Sequence, residues 1–198
     1  MLQAQKTEGL EAGTDEAGRG CLAGPVTAAA VILPLGFKHP ALNDSKKLTA
    51  AKRQSLRIEI EAQALSYAVA HVFPKEIDSL NILNAAIKAM HLALAQLHPI
   101  PEHIVVDGNR FHSYRDIPFD CIVKGDGKYQ NIAAASILAK TYRDDYMAKL
   151  SLEFPAYHWQ ENKGYPTTKH REALKQFGPS PHHRKSFQLL PKQLQIPF

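Results

Sequence analysis

A chain of 198 residues is expected to form one domain, or one domain with a small appendage. Hydrophobic residues make up 44% and charged residues 22%, which excludes a disordered or low-complexity chain. No apolar run approaches the ~18–20 residues of a membrane span. The opening MLQAQKTEGLEAGTDE has no basic flank leading into an apolar core, so a cytoplasmic location is expected and Cys21 and Cys121 are expected to stay reduced. Lys and Arg (24) exceed Asp and Glu (19) by five, and residues 158–198 hold seven basic residues against two acidic ones. The whole excess therefore lies in the last part of the chain, mixed with aromatics and histidines. That distribution suits a polyanion backbone, and it equally suits a solvated basic surface.

Residues 9–14 and 25–33 read as strands joined by a turn containing Gly18, Gly20 and Gly24. Thr49 reads as the N-cap of a helix running through Leu56, Ile60 and Ala64, and 68–73 reads as a third strand. The spacing of Leu80, Leu83, Ala86, Ile87, Met90, Leu94 and Leu97 predicts one amphipathic helix over 79–97. Short β-branched runs at 103–106 and 119–123 end before Asp107-Gly108 and Gly125-Asp126, and an alanine-rich helix follows over 132–150. Beyond Phe154 the pattern weakens into proline-containing loops with a short helix near 169–177, where Tyr157 and Trp159 read as appendage core. Strands alternating with helices predict an α/β sheet with parallel pairs and one early hairpin.

Asp15 and Glu16 follow the first predicted strand, Asp107 ends a strand of apolar residues, and Asp126 follows another. In open α/β sheets the crevice beyond the carboxyl ends of strands is where sites form. Carboxylates converging there repel one another unless cations lie between them, and oxygen-only donors select hard ions such as Mg²⁺ or Mn²⁺. Two such ions are the clamp for phosphodiester hydrolysis. Each carboxylate also has a plain structural reading: Asp15 and Asp107 in turns, Asp126 as a helix cap.

Other chemistries find little support. Gly18-Arg19-Gly20 with Ala23 matches a dinucleotide fingerprint, but Gly24-Pro25 and a strand follow where a helix is required. Gly125-Asp126-Gly127-Lys128 lacks the spacing of a P-loop, and neither Ser136 nor Ser186 lies in a nucleophile elbow. Cys21 and Cys121 lack zinc or redox spacing, and the adjacent His182-His183 suits a surface or phosphate contact better than a shared metal.

Several blocks together resemble one known family. Asp15-Glu16-Ala17-Gly18-Arg19-Gly20 with Gly24-Pro25-Val26, Asp44-Ser45-Lys46-Lys47-Leu48, Val106-Asp107-Gly108-Asn109 and Lys124-Gly125-Asp126 stand in the order found in ribonuclease HII. They are followed by 133–140 with Arg143-Asp144, by Lys163-Gly164-Tyr165-Pro166-Thr167 with His170, and by 178–187. The resemblance spans residues 13–187 and implies an RNase H-like fold, a central mixed β-sheet flanked by helices with a small helical C-terminal extension. It divides the chain into a catalytic domain, 1–154, and a basic extension, 155–198, that completes the substrate cleft.

The resemblance implies that Asp15, Glu16, Asp107 and Asp126 are catalytic and bind Mn²⁺ or Mg²⁺, the same four that strand-end placement suggests. Asp144 competes for the fourth place, but it lies well inside a predicted helix. By the same resemblance, Gly18, Arg19 and Gly20 read a 2′-OH through close backbone contacts, and Tyr165 packs on the sugar at an RNA-to-DNA junction. Ser45, Lys46 and Lys185 are assigned to phosphates. The implied activity is hydrolysis of RNA in RNA:DNA hybrids and nicking 5′ of single ribonucleotides embedded in duplex DNA, by a two-metal mechanism leaving 3′-OH and 5′-phosphate ends. The alternatives are a ribonuclease HIII-like enzyme and a nucleic-acid-binding protein without catalysis. A monomer is expected, and the tail Gln195-Ile196-Pro197-Phe198 looks a little like a peptide that docks on a replication clamp.

Overall fold

The computed structural model describes residues 2–42 and 48–190. At its centre is a five-stranded sheet of order β3-β2-β1-β4-β5. Its strands are β1 (Glu11–Ala17), β2 (Val26–Ile32), β3 (Ser66–Val72), β4 (His103–Asp107) and β5 (Phe119–Ile122). β1 pairs antiparallel with β2 and β2 antiparallel with β3, while β1–β4 and β4–β5 are parallel. The predicted early hairpin is thus the first half of a three-strand meander, and β1 sits where it meets the parallel half.

β2 shows why its sequence is apolar without alternation. Ala28, Ala30 and Ile32 face a core built with Ala85, Ala89 and Met90 of α3 (Ile82–Leu94). Ala29 and Val31 face the other core, with Leu56 and Ile60 of α1 (Ala50–Gln63) and Ala133, Ile137 and Leu138 of α4 (Gln130–Glu153). A strand covered on both faces has no polar side to present. α1 starts where Thr49 caps it, its side chain accepting from Lys52 N at 3.2 Å.

The single helix predicted over 79–97 is two helices. α2 (Pro74–Leu80) begins with proline at its first turn, and α3 begins after Asn81. Asn81 stands at φ 67, and its Oδ1 accepts from Leu83 N and Asn84 N at 3.0 and 3.1 Å. Hydrophobic spacing continues through the break because both helices lean on one core, but an asparagine side chain that caps the second helix restarts the backbone.

α4 lies directly on β1. A Cβ on Gly13 would run into the Asn131 carbonyl carbon and the Ile132 amide. Asn131 is fully buried and stitches three segments: its Nδ2 donates to Glu11 O (3.1 Å) and Glu11 Oε1 (3.2 Å), and its Oδ1 accepts from Leu33 N (3.0 Å). Gly13→Ala is therefore expected to cost about 1–3 kcal/mol by overpacking, lowering Tm by about 3–10 °C. An unchanged Tm would mean that this approach is not close.

The chain beyond Phe154 forms α5 (Trp159–Asn162) and α6 (Thr168–Phe177). Tyr157, Trp159, Ala173 and Leu174 pack against Leu22 and Ala23 after β1 and against Met147 and Leu150 of α4. Trp159 is fully buried, as expected of appendage core, but so is His183, against its expected surface or phosphate role. Its ring is enclosed by aromatic neighbours Tyr157 and Trp159. Both cysteines are free thiols. Among the described residues no helix is long and apolar enough to cross a membrane.

Candidate active site

β1 extends past its predicted end because Asp15, Glu16 and Ala17 continue pairing with Ala29, Ala28 and Thr27. Asp15 and Glu16 thus lie within the strand. They project to opposite faces, since strand side chains alternate. Asp15 shares the face of Gly13 and bonds to Ser136 of α4, while Glu16 also borders the space beside Leu83 and Ile87 of α3. The parallel register, Thr14 beside Val106, brings Asp107 alongside Asp15. Asp107 Oδ1 accepts from Gly125 N at 2.7 Å. That bond anchors the 3₁₀ turn Gly125–Gly127, which carries the buried Asp126. Asp126 therefore occupies a turn between β5 and α4, not the direct end of a strand or a cap on α4.

The electrostatics record the crowding. Burial first, then the charges of Glu16 and Asp107, push the Asp15 carboxyl well above the usual range, against the Ser136 hydrogen bond. Among the described residues no three His, Cys, Asp or Glu side chains are drawn up around one ion position. What fits a hard cation is the donor chemistry: oxygen-only carboxylates, with Asp15 and Asp126 buried and the charges of Glu16 and Asp107 set against that of Asp15. Asp15, Glu16, Asp107 and Asp126 are the residues that would hold it. Asp144 Oδ1 pairs with Lys140 Nζ at 2.6 Å, and Asp144 borders a hollow with Arg53 and Lys163 rather than lining the cleft of Asp15 and Glu16.

Asp15 and Glu16 open onto a cleft of ≈ 370 Å³ lined also by the Gly18–Gly20 turn, Ser136, Lys140 and Tyr165. A second hollow of ≈ 180 Å³ holds Asp107, Asn109 and Arg110. Glu16 and Arg19, paired at 3.1 Å, border both. Arg19 and Gly20 are exposed, and Gly18 has φ +89, where a side chain would also meet the Arg143 guanidinium. Tyr165 is 39% exposed, with Lys140 Nζ 5.8 Å from its ring centre and the Cys21 thiol near its hydroxyl. Lys185 is exposed and lines neither hollow. Its amide and that of Ser186 donate to Asp78, at 2.9 Å each. Ser45 and Lys46 lie outside the described residues.

Two buried arginines shape this turn, and neither stands out in the sequence reading. Arg184, counted there with the basic tail, donates to Gly18 O (2.7 Å), Arg19 O (2.8 Å) and Gly24 O (3.1 Å). Arg143 donates to Pro25 O (2.8 Å), Ala23 O (3.0 Å) and Lys163 O (2.8 Å). Both are essentially unexposed. Arg143 had a signal: it falls on the buried helical stripe Ser136, Ala139, Met147 and Leu150. Arg184 had none, because it lies in a loop. Burial lowers the Arg184 pKa to about 10, so it stays charged at neutral pH.

Comparison with known proteins identifies the family and the fold. The family model for ribonuclease HII matches residues 12–190. The ribonuclease HII of Christiangramia forsetii is 62% identical over 198 residues, covering all of both chains. Among solved structures, the chain from the PCNA:RNase HII complex of Archaeoglobus fulgidus has a TM-score of 0.77 at 26% identity, over 93% of this chain and 98% of that one. The Bst RNase HIII in complex with Mn²⁺ has a TM-score of 0.65 at 18% identity, over 85% of this chain and 63% of that one, a likeness of fold alone. The mixed sheet flanked by helices is the RNase H-like fold. The chain belongs to the ribonuclease HII family and is a type 2 ribonuclease H, an endoribonuclease that degrades RNA in RNA:DNA hybrids.

Proposed function

We propose that the enzyme also nicks duplex DNA 5′ of a single embedded ribonucleotide, leaving 3′-OH and 5′-phosphate ends. The observation that carries this reading is the shared cleft: the Gly18–Gly20 backbone, the Tyr165 ring and the carboxylates Asp15 and Glu16 face one space. A 2′-OH both donates and accepts, and bare backbone can answer in both ways. Gly18, Arg19 and Gly20 read that hydroxyl while Tyr165 packs on the sugar at the junction with DNA. Asp15, Glu16, Asp107 and Asp126 would hold two Mg²⁺ or Mn²⁺ ions. When bound, such a pair supplies a nucleophile at neutral pH and stabilises the departing 3′ oxygen. The chain's part is to fix the scissile phosphate's neighbours: Asp107 is oriented by Gly125 N, and the turn is held by Arg184 and Arg143.

The extension from residue 155 completes the cleft by contributing Tyr165. Ser45, Lys46 and Lys185 contact phosphates, Lys185 from an exposed position. The tail, 191–198, lies outside the described residues. Its proposed clamp contact is supported by the similar chain in the PCNA:RNase HII complex of Archaeoglobus fulgidus. The enzyme acts as a monomer in the cytoplasm.

The test is cleavage of a labelled DNA duplex carrying one ribonucleotide, with Mg²⁺, Mn²⁺ or EDTA, beside all-DNA and RNA:DNA controls. A metal-dependent nick 5′ of the ribonucleotide is expected. Cleavage of the hybrid alone would point to ribonuclease HIII-like specificity. Binding without cleavage under any metal would remove support for the carboxylate roles. Tyr165→Ala is expected to lower the preference for a lone ribonucleotide by about tenfold, the scale of one aromatic contact. Unchanged selectivity would show that Tyr165 does not read the junction.

A further inference from the structure

We infer that His170 is a positioning residue for Tyr165, held in one tautomer by Trp159 and His183 so that its Nδ1–H fixes the Tyr165 backbone. The inference rests on the proposed reading of Tyr165 at the RNA-to-DNA junction. Indole nitrogen can only donate, and Trp159 Nε1 lies 3.0 Å from His170 Nε2. That nitrogen therefore carries no proton, and the proton of the neutral ring sits on Nδ1, 2.9 Å from the Tyr165 carbonyl oxygen.

His183 completes the assignment from the other side. Ser180 N donates to His183 Nδ1 at 2.9 Å, so the His183 proton sits on Nε2, which faces His170 Nε2 at 3.1 Å. His170 Nε2 thus receives two N–H groups and has no room for a proton of its own. Burial favours the neutral form of both rings: it lowers the His170 pKa, and it takes that of His183 down to about 4. The donors themselves are rigid: Trp159 is fully buried and stacks on Tyr157 with ring centres 5.0 Å apart.

The backbone at Tyr165 is pinned from both sides. Its N–H donates to Asn162 O at 2.9 Å, and its carbonyl accepts from Thr167 N at 2.8 Å as well as from His170. Thr167 caps α6, its side chain accepting from His170 N, so the ring that fixes Tyr165 stands in the first turn of the capped helix. Leu22 N donates to Gly164 O at 2.8 Å, which ties the same segment to the chain just beyond the glycine turn. A ring set by the appendage core thereby decides where the Tyr165 side chain meets the cleft. His170 does not line that cleft, so its effect runs through Tyr165.

The experiment separates the two ring nitrogens. His170→Asn offers an amide N–H near the position of Nδ1. His170→Gln reaches the position of Nε2 and can accept from Trp159, but leaves nothing to donate to Tyr165 O. The readout is the ratio of kcat/KM on a single-ribonucleotide duplex to that on an RNA:DNA hybrid, with Tm of each variant. His170→Gln is expected to lower the ratio by about five- to tenfold, the scale of one lost hydrogen bond, towards the value of Tyr165→Ala. His170→Asn should keep the ratio close to wild type although both variants lose the ring and melt earlier. If Tyr165→Ala lowers the ratio but the Asn and Gln variants behave alike, the positioning role is wrong and the Tyr165 reading stands. If Tyr165→Ala leaves the ratio unchanged, both fall. Ring ¹⁵N NMR of the wild-type protein needs no variant to fold: a proton on His170 Nδ1 supports the assignment, and one on Nε2 overturns it.

Discussion

Asp107→Asn is expected to lower kcat by orders of magnitude, about 10³-fold on the scale of removing one preorganised electrostatic group, while duplex binding stays near wild type. The substitution is nearly isosteric. The amide retains an oxygen to accept from Gly125 N, which Asp107 Oδ1 holds at 2.7 Å, so the turn carrying Asp126 keeps its anchor. The charge is lost, and the second carboxylate oxygen becomes an NH₂ donor. That charge is one of three causes holding the Asp15 carboxyl above its ordinary range, so Asp15 should ionise more readily in the variant. Removing a like charge from a buried cluster relieves repulsion, so Tm should be equal to or above wild type. Loss of turnover with gain or retention of stability is the signature of a carboxylate kept for chemistry. Wild-type turnover would sink the assignment, and a fall in both activity and Tm would make Asp107 a structural turn residue.

Arg184→Met has the largest expected effect on stability. Methionine keeps much of the side chain's length but removes every donor. Three carbonyls, of Gly18, Arg19 and Gly24, then lose partners 2.7–3.1 Å away in a buried setting. An unsatisfied buried acceptor costs about 1–3 kcal/mol, partly offset because a desolvated guanidinium is also removed. A net loss of about 2–4 kcal/mol follows, or a fall in Tm of about 5–15 °C. Because those carbonyls belong to the turn beside the carboxylates, KM for the hybrid should rise as well. The neighbouring Lys185→Ala is the contrast: an exposed side chain, whose loss should leave stability within about 0.5 kcal/mol. Equal Tm values for the two variants would show that water replaces the guanidinium.

Those adjacent residues show where reading the chain ran out. Arg184 and Lys185 look alike in a basic tail, yet one is fully buried among backbone carbonyls and the other is in solvent. No local pattern marks a loop arginine whose partners lie about 160 residues earlier. Asn81 shows a second limit. Hydrophobic spacing ran through it unbroken because α2 and α3 serve one core, and the restart was set by a side-chain cap. The extra residues of β1 were missed for a third reason: Asp and Glu are poor strand formers, and pairing with β2 overrode that preference.

What the amino-acid sequence by itself determined was the kind of chemistry and most of the elements. Both rest on local facts, the contiguous family blocks such as 15–20 and 106–109 and the periods of two and 3.6 that commit a segment to sheet or helix. Tertiary structure alone decided which residues share a space. The parallel register of β1 with β4 brought Asp107 beside Asp15, and the Asp107 bond to Gly125 N anchored the turn that carries Asp126. It also decided which polar groups are buried, sending Arg143, Arg184, His170 and His183 inward to satisfy backbone and one another. Burial and register depend on partners distant along the chain, and a residue type read in place does not contain them.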